Sequence, residues 1–478
     1  MDRALLLFLL LFSVAVPHSI AVSQAAFLSA LTIAIVRRLT GQRGWKVGRT
    51  EPSIEWPLGG FLALTILSSV FSAAPAISLV KLKTIGLFLI LFLVRDELSR
   101  RGGQIVVGCV VVSSLMGVGY SWLEKGIGRG VIVTSVKVES PWWKGGLRPG
   151  DLVWMIDRKR VRSMEEIRSE LAARDVGDQV SVEALHAGDP LPIELRVTQE
   201  MRTDVRTLGI AGSRAGRQFR VAGFSRQFLT YAEQMQMLAL LAFGWCLAGW
   251  QRQRAALLFL IFTATLLLTA TRSVTLSLII AVTILAWWWG GRRGLLVGLI
   301  AAALLGALAL YAIGTGRQSV VARFSDDSTL RRIGYMQAGL RKIPDHPILG
   351  VGMDAHRVFW KEWGFPGDYI THTHSTPIQI ALDRGVPALG CLVWFFVAIC
   401  RDLARRSRAA RARQDLWREG LCVGVLAATV GFGLSALTNY NFGDSETLML
   451  WLLLLGVGQA TEQENDPIPG ENVPWRAS

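Results

Sequence analysis

Long apolar runs constrain this chain more than any other feature of its sequence. A transmembrane helix needs about 20 apolar residues, and about twelve stretches meet or approach that length. Charged residues make up 18% of the chain, against roughly 25% in soluble domains. The sequence therefore predicts a polytopic all-α membrane body with about 12 transmembrane helices. The predicted spans are residues 4–17, 19–36, 57–74, 77–94, 104–120, 229–250, 255–270, 274–290, 294–313, 378–400, 419–437 and 445–459.

Basic residues between these spans alternate from side to side, as the positive-inside rule expects. Arginine and lysine cluster in the loops at 37–49, 95–101, 252–254, 292–293 and 401–418. The intervening short turns hold one arginine, Arg272. We therefore expect both termini in the cytoplasm, and the net charge of +15 indicates topology rather than nucleic-acid binding. The first apolar run could instead be a cleaved signal peptide, which leaves the remaining topology unchanged.

Two long polar segments, about 121–228 and 314–377, fall on the outer side of this predicted topology. They hold five of the six histidines, so we expect function to reside there. The predicted organisation is transmembrane helices 1 to 5 in 1–121, a small outer domain at 122–199, a basic linker at 200–228, helices 6 to 9 in 229–313, an outer loop at 314–377, helices 10 to 12 in 378–460, and a cytoplasmic tail at 461–478.

From Val131 onward the first outer segment changes to short alternating strands with turn residues between them. Met164, Ile167 and Leu171 follow at helical spacing. Two more strands are separated by a short glycine-containing turn at 186–189. About 80 residues of this kind can just bury a core. The pattern predicts a small α+β domain inserted between the fifth and sixth spans.

This inserted segment resembles a PDZ domain of the type found in bacterial envelope proteases. The resemblance lies in the framework motifs Ser140-Pro141, Gly146-Leu147, Pro149-Gly150-Asp151 and Gly177-Asp178. In that family an extended peptide adds a strand beside a helix, and backbone N–H groups of a loop hold its terminal carboxylate.

The resemblance implies a groove beside the helix that carries Ile167 and Leu171. Its loop would be either 120–123 or the stretch Gly126-Ile127-Gly128-Arg129. A spacer or scaffold role for the domain is the alternative to binding a polypeptide C-terminus. No HExxH or GxSxG motif accompanies the domain, which disfavours a protease.

The second outer segment combines arginine with histidine. Arginine offers a fixed fork of donors for phosphate, and histidine can move a proton near neutral pH. This segment resembles the O-antigen ligase and polymerase family of bacterial membrane glycosyltransferases. The resemblance lies in Arg331 and Tyr335, in His346-Pro347 with Gly350-Val351-Gly352, in His374-Ser375 with Gln379 and Gly385, in the turn Thr271-Arg272-Ser273, and in the run from Arg220 to Gln234. Asp383 departs from the family pattern, where Glu is usual.

The resemblance implies an inner-membrane enzyme that transfers a glycan from a polyprenyl diphosphate carrier to an acceptor hydroxyl on the periplasmic side, with inversion. His374 would accept the proton, while Arg272 and Arg331 would hold the diphosphate. Further candidates for diphosphate binding are Arg220, Arg226, Arg332, Lys81 and Lys83. No cofactor and no metal are expected, because arginine supplies the positive charge.

Three alternatives remain open. The enzyme could be a polymerase that extends the glycan on its carrier. The chain could be a non-catalytic membrane scaffold in which the PDZ-like domain carries the function. Zinc binding is a third reading, since histidine and carboxylate are its usual ligands; it would use His372, His374, His346, His356 and Asp345.

Overall fold

The computed structural model describes residues 3–41, 52–186, 189–203, 209–216, 219–225, 227–316, 321–367 and 372–460. The α-helices are α1 (Arg3–Ala15), α2 (Ile20–Leu39), α3 (Pro52–Val70), α4 (Pro75–Lys81), α5 (Leu89–Glu97), α6 (Arg100–Ile127), α7 (Pro141–Lys144), α8 (Met164–Ala172), α9 (Gln199–Thr203), α10 (Phe228–Ala248), α11 (Arg252–Leu268), α12 (Arg272–Gly316), α13 (Val321–Lys342), α14 (Thr376–Arg384), α15 (Val386–Ala412), α16 (Leu416–Ala436) and α17 (Ser445–Gln459). The strands are β1 (Val131–Val136), β2 (Leu152–Ile156), β3 (Lys159–Arg160), β4 (Gln179–His186), β5 (Asp189–Arg196) and β6 (Ile210–Ala215). Short 3₁₀ helices lie at Leu82–Phe88, Ile343–Asp345, Ala355–Arg357 and Asn441–Gly443.

Within the described residues, seven helical segments are long and apolar enough to cross a membrane. They are Ile20–Leu39, Pro52–Val70, Pro75–Glu97, Arg100–Ile127, Arg272–Leu296, Val386–Ala412 and Leu416–Ala436, and Arg3–Ala15 and Ser445–Gln459 are shorter apolar helices. A polytopic helical body is thus observed, whereas the predicted count of about twelve spans is not confirmed. One reason is α10, which buries Thr230, Glu233, Gln234 and Gln236 among its apolar residues.

The helix α12 corresponds to two predicted spans, 274–290 and 294–313. It is assigned as one element, but its backbone breaks at Gly291, where φ is 56°. A left-handed φ of this kind is accessible to glycine at little cost. The predicted boundary between the two spans therefore coincides with a conformational break in the chain.

Glycine permits a close contact between α10 and α16. A Cβ added at Gly244 would collide with the backbone of Gly424 and with the carbonyl oxygen of Gly420. Small residues four apart allow two helix backbones to touch where lipid gives no hydrophobic drive for association. This contact fixes α10, which supplies one wall of the cavity described below.

The β-rich segment forms one antiparallel sheet with strand order β5-β4-β2-β1-β6, and β3 pairs with β2. Trp142, Ile167 and Leu171 are fully buried in its core. Gly150 has a φ of 101°, and the Asp151 carboxylate accepts the Arg148 N–H at 2.7 Å. Gly150 and Asp151 therefore both stabilise the turn, as their residue types predict.

The limits of this domain differ from the predicted 122–199. The helix α6 continues to Ile127 before β1 begins, and β6 lies inside the segment predicted as a linker. The Gly216 N–H donates to the Gly130 carbonyl at 2.8 Å, and the Arg129 N–H donates to the Gly216 carbonyl at 2.8 Å. The sheet thus begins and ends at adjacent points of the backbone. Sequence alternation missed β6 because four of its six residues are Ala, Gly, Ser and Ala.

Candidate functional site

The loop at Gly350-Val351-Gly352 lies against the end of α14. The N–H groups of Val351 and Gly352 donate to the carbonyls of Leu382 and Asp383 at 3.0 and 2.8 Å. A Cβ at Gly350 would overlap the Asp383 backbone, and one at Gly352 would overlap the Ser72 hydroxyl. The two glycines of the predicted motif therefore allow this loop to pack between Ser72, just after α3, and α14.

A buried polar network lies behind this loop. The Asp383 carboxylate contacts His356 Nδ1 at 3.2 Å and accepts from Gln379 Nε2 at 3.0 Å. Gln379 Oε1 accepts the backbone N–H of Thr373 at 2.8 Å. His356 and Gln379 have no exposed surface. The network therefore fixes the backbone between His372 and His374 from its buried side.

The two histidines of this segment lie together. His374 has a φ of 55°, and its N–H donates to His372 Nδ1 at 3.1 Å. The imidazole rings are 4.3 Å apart, and the Tyr335 ring lies 5.3 Å from that of His374. Because His372 Nδ1 accepts a hydrogen bond, neutral His372 carries its proton on Nε2.

Both imidazoles are held neutral at physiological pH. Burial lowers the pKa of His374 to about 3, with further contributions from His372 and Arg332. Burial likewise lowers the pKa of His372 to about 4, and His356, Arg332 and Arg357 contribute. A neutral imidazole has a lone pair to accept a proton, although these pKa values are low for a base. An anionic ligand at this place would raise both pKa values.

A cavity of about 890 Å³ opens beside His372. Lys81, Arg357 and Arg384 are the lysine and arginine residues that line it within the described chain. Lys81 Nζ lies 2.8 Å from the Asp354 carboxylate. Burial alone would raise the pKa of Asp354, but the charges of Lys81 and Arg357 lower it overall.

Arg384 is the most buried of these cations. Its relative exposure is 5%, its guanidinium lies 5.2 Å from the Phe61 ring, and its Nε has no hydrogen-bond partner. A buried guanidinium with an unused donor is suited to bind an oxyanion. The combined charge of this wall favours a phosphate group.

The predicted Arg272 is not among the residues that line the cavity. Arg272 begins α12 and is exposed, while the neighbouring Ser273 Oγ accepts from Asn439 Nδ2 at 3.3 Å. The Asn439 carbonyl accepts the Thr376 N–H at 3.1 Å. The turn of Arg272 is thereby tied to the start of α14, which directly follows His374.

Arg331 and Arg332 differ in placement although they are adjacent on α13. Arg331 is exposed, whereas Arg332 is half-buried and its charge lowers the pKa of both histidines. Of the two, Arg332 is therefore nearer to the proton-handling residues. Neither residue is among those that line the cavity.

The remaining predicted cations are dispersed. Lys81 lines the cavity, but Lys83 is exposed. The Arg220 guanidinium lies 4.4 Å from the centre of the Phe228 ring. Arg226 lies outside the described residues.

Sequence reasoning missed Arg357 and Arg384 as cavity residues. Arg384 could have been suspected because it is a charged residue two positions before an apolar helix that begins at Val386, where ionisable groups are costly. Nothing in the sequence near Arg357 distinguishes it from an ordinary surface arginine.

One group of potential metal ligands occurs among the described residues. Ligand atoms of Asp354, His356 and Asp383 lie within 4.8 Å of one another. This set shares only His356 with the zinc ligands considered from the sequence, and His346 and Asp345 are exposed. Asp354 is paired with Lys81 and Asp383 with Gln379, so the acidic ligands already have internal partners.

The predicted peptide-groove residues do not lie at an open strand edge. Ile167 and Leu171 are fully buried in the domain core. Gly126, Ile127 and Gly128 close α6, and Ile127 and Gly128 line a small cavity of about 60 Å³ beside Trp154.

The two outermost described strands, β5 and β6, differ in their ability to pair with a further strand. β5 contains Pro190 and Pro192, which lack N–H groups and protect an edge from pairing. β6 contains no proline, pairs with β1 among the described strands, and is mostly exposed. The edge of β6 is therefore the better template for an added peptide.

These features define a helical membrane protein with an inserted β-rich domain and a cavity lined by both basic and acidic residues. Residues 256–393 match the model of the O-antigen ligase family, and residues 114–197 match the model of the PDZ domain. The resemblance inferred from the motifs, an O-antigen ligase domain with an inserted PDZ domain, is thus confirmed.

One curated relative also matches part of the chain. A stretch of 62 residues is 39% identical to the magnetosome formation protease MamE of Magnetospirillum gryphiswaldense. The match covers 13% of this chain and 8% of that protein. The similarity therefore concerns a short stretch and does not extend to the protease as a whole.

Proposed function

We propose that this protein transfers a glycan from a polyprenyl diphosphate carrier to an acceptor hydroxyl on the periplasmic side of the bacterial inner membrane, with both termini in the cytoplasm. The observation that supports this most directly is the buried Arg384, with its unpartnered Nε, in the cavity wall that also contains His372. An O-antigen ligase domain at 256–393 gives the reaction class.

In the proposed reaction the acceptor oxygen attacks the anomeric carbon from the side opposite the diphosphate. The bond between that carbon and the diphosphate oxygen breaks, so the configuration inverts. His374 takes the proton of the acceptor hydroxyl, and the diphosphate leaves with the electron pair.

Lys81, Arg357 and Arg384 stabilise the charge of the departing group, as preorganised donors do in other transfer reactions. These side chains supply the positive charge, so the proposed step requires no metal. His372, with its proton on Nε2, donates a hydrogen bond to a diphosphate oxygen. Binding of this anion raises the pKa of His374 and makes it a stronger base when the donor is in place.

Arg272 and Arg331 retain the roles that the family resemblance implies, although neither is among the residues that line the cavity. Of the two arginines on α13, Arg332 is the better candidate for a role at the site, because its charge lowers the pKa of both histidines. A polymerase acting on the same carrier would use the same groups, so the acceptor alone separates the two enzymes.

The PDZ domain is proposed to recruit a polypeptide by strand addition at β6. The chain leaving this strand leads to Phe224, whose ring stacks on Tyr120 at 4.7 Å and which lines the cavity. A peptide at β6 would therefore bind to a strand whose following segment leads to the cavity lining, which suits a protein acceptor or an assembly partner.

The transferase proposal is tested by comparing cells that carry the native protein, His374→Ala, Arg272→Ala or Arg384→Gln at matched protein levels. Carrier-linked precursor should accumulate and the finished glycoconjugate should disappear in all three variants. Arg341→Gln changes an exposed arginine on α13 and serves as the control. Full function of His374→Ala would instead favour the scaffold alternative.

The recruitment proposal is tested by replacing residues 131–215 with a short glycine linker. This excision joins two points that are already hydrogen-bonded neighbours, Gly130 and Gly216. Transfer in cells should fall while transfer to a simple acceptor by purified protein persists. Equal loss of both activities would contradict a recruiting role.

A further inference from the structure

The cavity has two walls of opposite chemical character. One wall carries Lys81, Arg357 and Arg384, together with Asp354, which pairs with Lys81. The other is formed by Glu233 of α10 and by Asp444 and Glu446 at the start of α17. Ser435 Oγ donates to Glu233 at 3.2 Å, and Asp444 accepts from Thr230 of α10. These bonds hold the ends of α10, α16 and α17 together and keep the carboxylates at one side of the cavity.

Asn439, in the loop between α16 and α17, has a buried side-chain oxygen that receives no hydrogen bond. Asn439 lines the cavity with a relative exposure of 1%. Its Nδ2 donates to Ser273 Oγ at 3.3 Å, but its Oδ1 has no hydrogen-bond partner. Buried polar atoms are nearly always partnered in folded proteins, so this oxygen indicates that a ligand supplies the missing donor.

The chemistry of this wall selects its ligand. Carboxyl and amide oxygens accept hydrogen bonds, and the hydroxyl groups of a sugar supply them. A phosphate or a carboxylate placed at the same wall would bring acceptor oxygens against acceptor oxygens and supply no donor. A volume of about 890 Å³ is within the range of pockets that enclose a drug-sized molecule.

We propose that Glu233, Glu446 and Asn439 bind the hydroxyl groups of the sugar that is joined directly to the diphosphate, and that this wall rejects a sugar bearing a carboxylate there. The inference rests on the proposed function, because the diphosphate at the cationic wall sets the orientation of the ligand. The two walls together then select a donor whose first sugar is neutral.

The test uses the full chain in lipid nanodiscs and three synthetic probes. These are geranylgeranyl diphosphate, the same lipid carrying glucose on its diphosphate, and the same lipid carrying glucuronic acid, which differs from glucose only at C6. The dissociation constant of each probe is measured by isothermal titration calorimetry. The native protein should bind the glucose probe at least tenfold more tightly than either of the others.

In Glu233→Gln and in Glu446→Gln the preference for glucose over glucuronic acid should fall to within about threefold, while affinity for the bare diphosphate lipid is kept. Asn439→Ala should lose affinity for the glucose probe alone. Glu362→Gln, an exposed carboxylate of the same outer segment, is the control, and the thermal unfolding of each variant shows that it is folded.

An unchanged preference in both glutamine variants, or no preference in the native protein, would overturn the inference. Failure of the transferase proposal is seen separately, as binding of geranylgeranyl diphosphate that does not weaken in Arg384→Gln. The cationic and acidic walls are thus tested by different probes.

Discussion

Gln379 Oε1 accepts the backbone N–H of Thr373 at 2.8 Å, and this bond links the buried Asp383 network to the residue between the two site histidines. The other end of the same amide donates to Asp383 at 3.0 Å. Gln379 touches neither the cavity nor the proposed reacting atoms, so it is a positioning residue. Its position one turn before Asp383 on α14 lets one side chain serve both partners.

We expect Gln379→Ala to lower kcat by about 100-fold with a smaller change in KM, since small displacements of a catalytic group cost rates of this order. Steady-state transfer kinetics with purified protein provide the measurement. Gln379→Glu keeps the acceptor for Thr373 but replaces the donor to Asp383 with a second carboxylate, so it should restore little activity. A rise in KM with no fall in kcat would show that Gln379 affects donor binding instead.

The two histidines make the stability of the protein depend on pH. Their pKa values of about 4 and about 3 lie below the ordinary value near 6.5, so the unfolded chain binds protons that the folded chain does not. The contribution of these two neutral histidines to the free energy of unfolding is complete above about pH 6.5, and it is lost as the pH falls toward 3. The Tm should therefore fall between pH 7 and pH 4.5.

The slope of that fall should be smaller in a variant with both His372→Gln and His374→Gln. His346→Gln changes an exposed histidine and should follow the native profile. Equal slopes in the double variant and the native protein would mean that other groups dominate the pH dependence.

Arg332 and Arg331 give a matched pair for the electrostatics of the site. Arg332→Gln removes a charge that lowers the pKa of both histidines, so both pKa values should rise. Arg331→Gln, on the exposed side of the same helix, should raise them less. Carbon-13 chemical shifts of labelled histidine, recorded as a function of pH, measure both pKa values in each variant. A larger rise in Arg331→Gln than in Arg332→Gln would show that Arg331 is the arginine nearer to the histidines.

Gly352 is expected to tolerate no side chain. Its φ of 102° is left-handed, and an added Cβ would overlap the Ser72 hydroxyl. Gly352→Ala should therefore destabilise the protein by roughly 1–3 kcal/mol, as overpacking does elsewhere. Gly390→Ala, where no heavy atom lies within 4 Å of the added Cβ, should leave the Tm nearly unchanged in thermal unfolding measurements.

The sequence by itself determined the membrane character, the inserted PDZ domain and the segment that carries His374. Apolar runs, alternating strands and the spacing of Gly350 and Gly352 are local features, and each has a physical cause that acts within a few residues. For the same reason the predicted boundary between the spans 274–290 and 294–313 falls at the break in α12 at Gly291. The number of spans was less secure, because α10 buries Glu233 and Gln234 against other helices rather than showing an apolar surface.

Only the tertiary structure decided which cations share a cavity and which strand has an open edge. Lys81 and Arg384 lie about three hundred positions apart in the chain, and their approach depends on the packing of α4 near the loop at Gly352. Likewise β6 joins β1 across more than seventy residues. Such contacts depend on how elements pack in space, whereas periodicity reports only the face that each element buries.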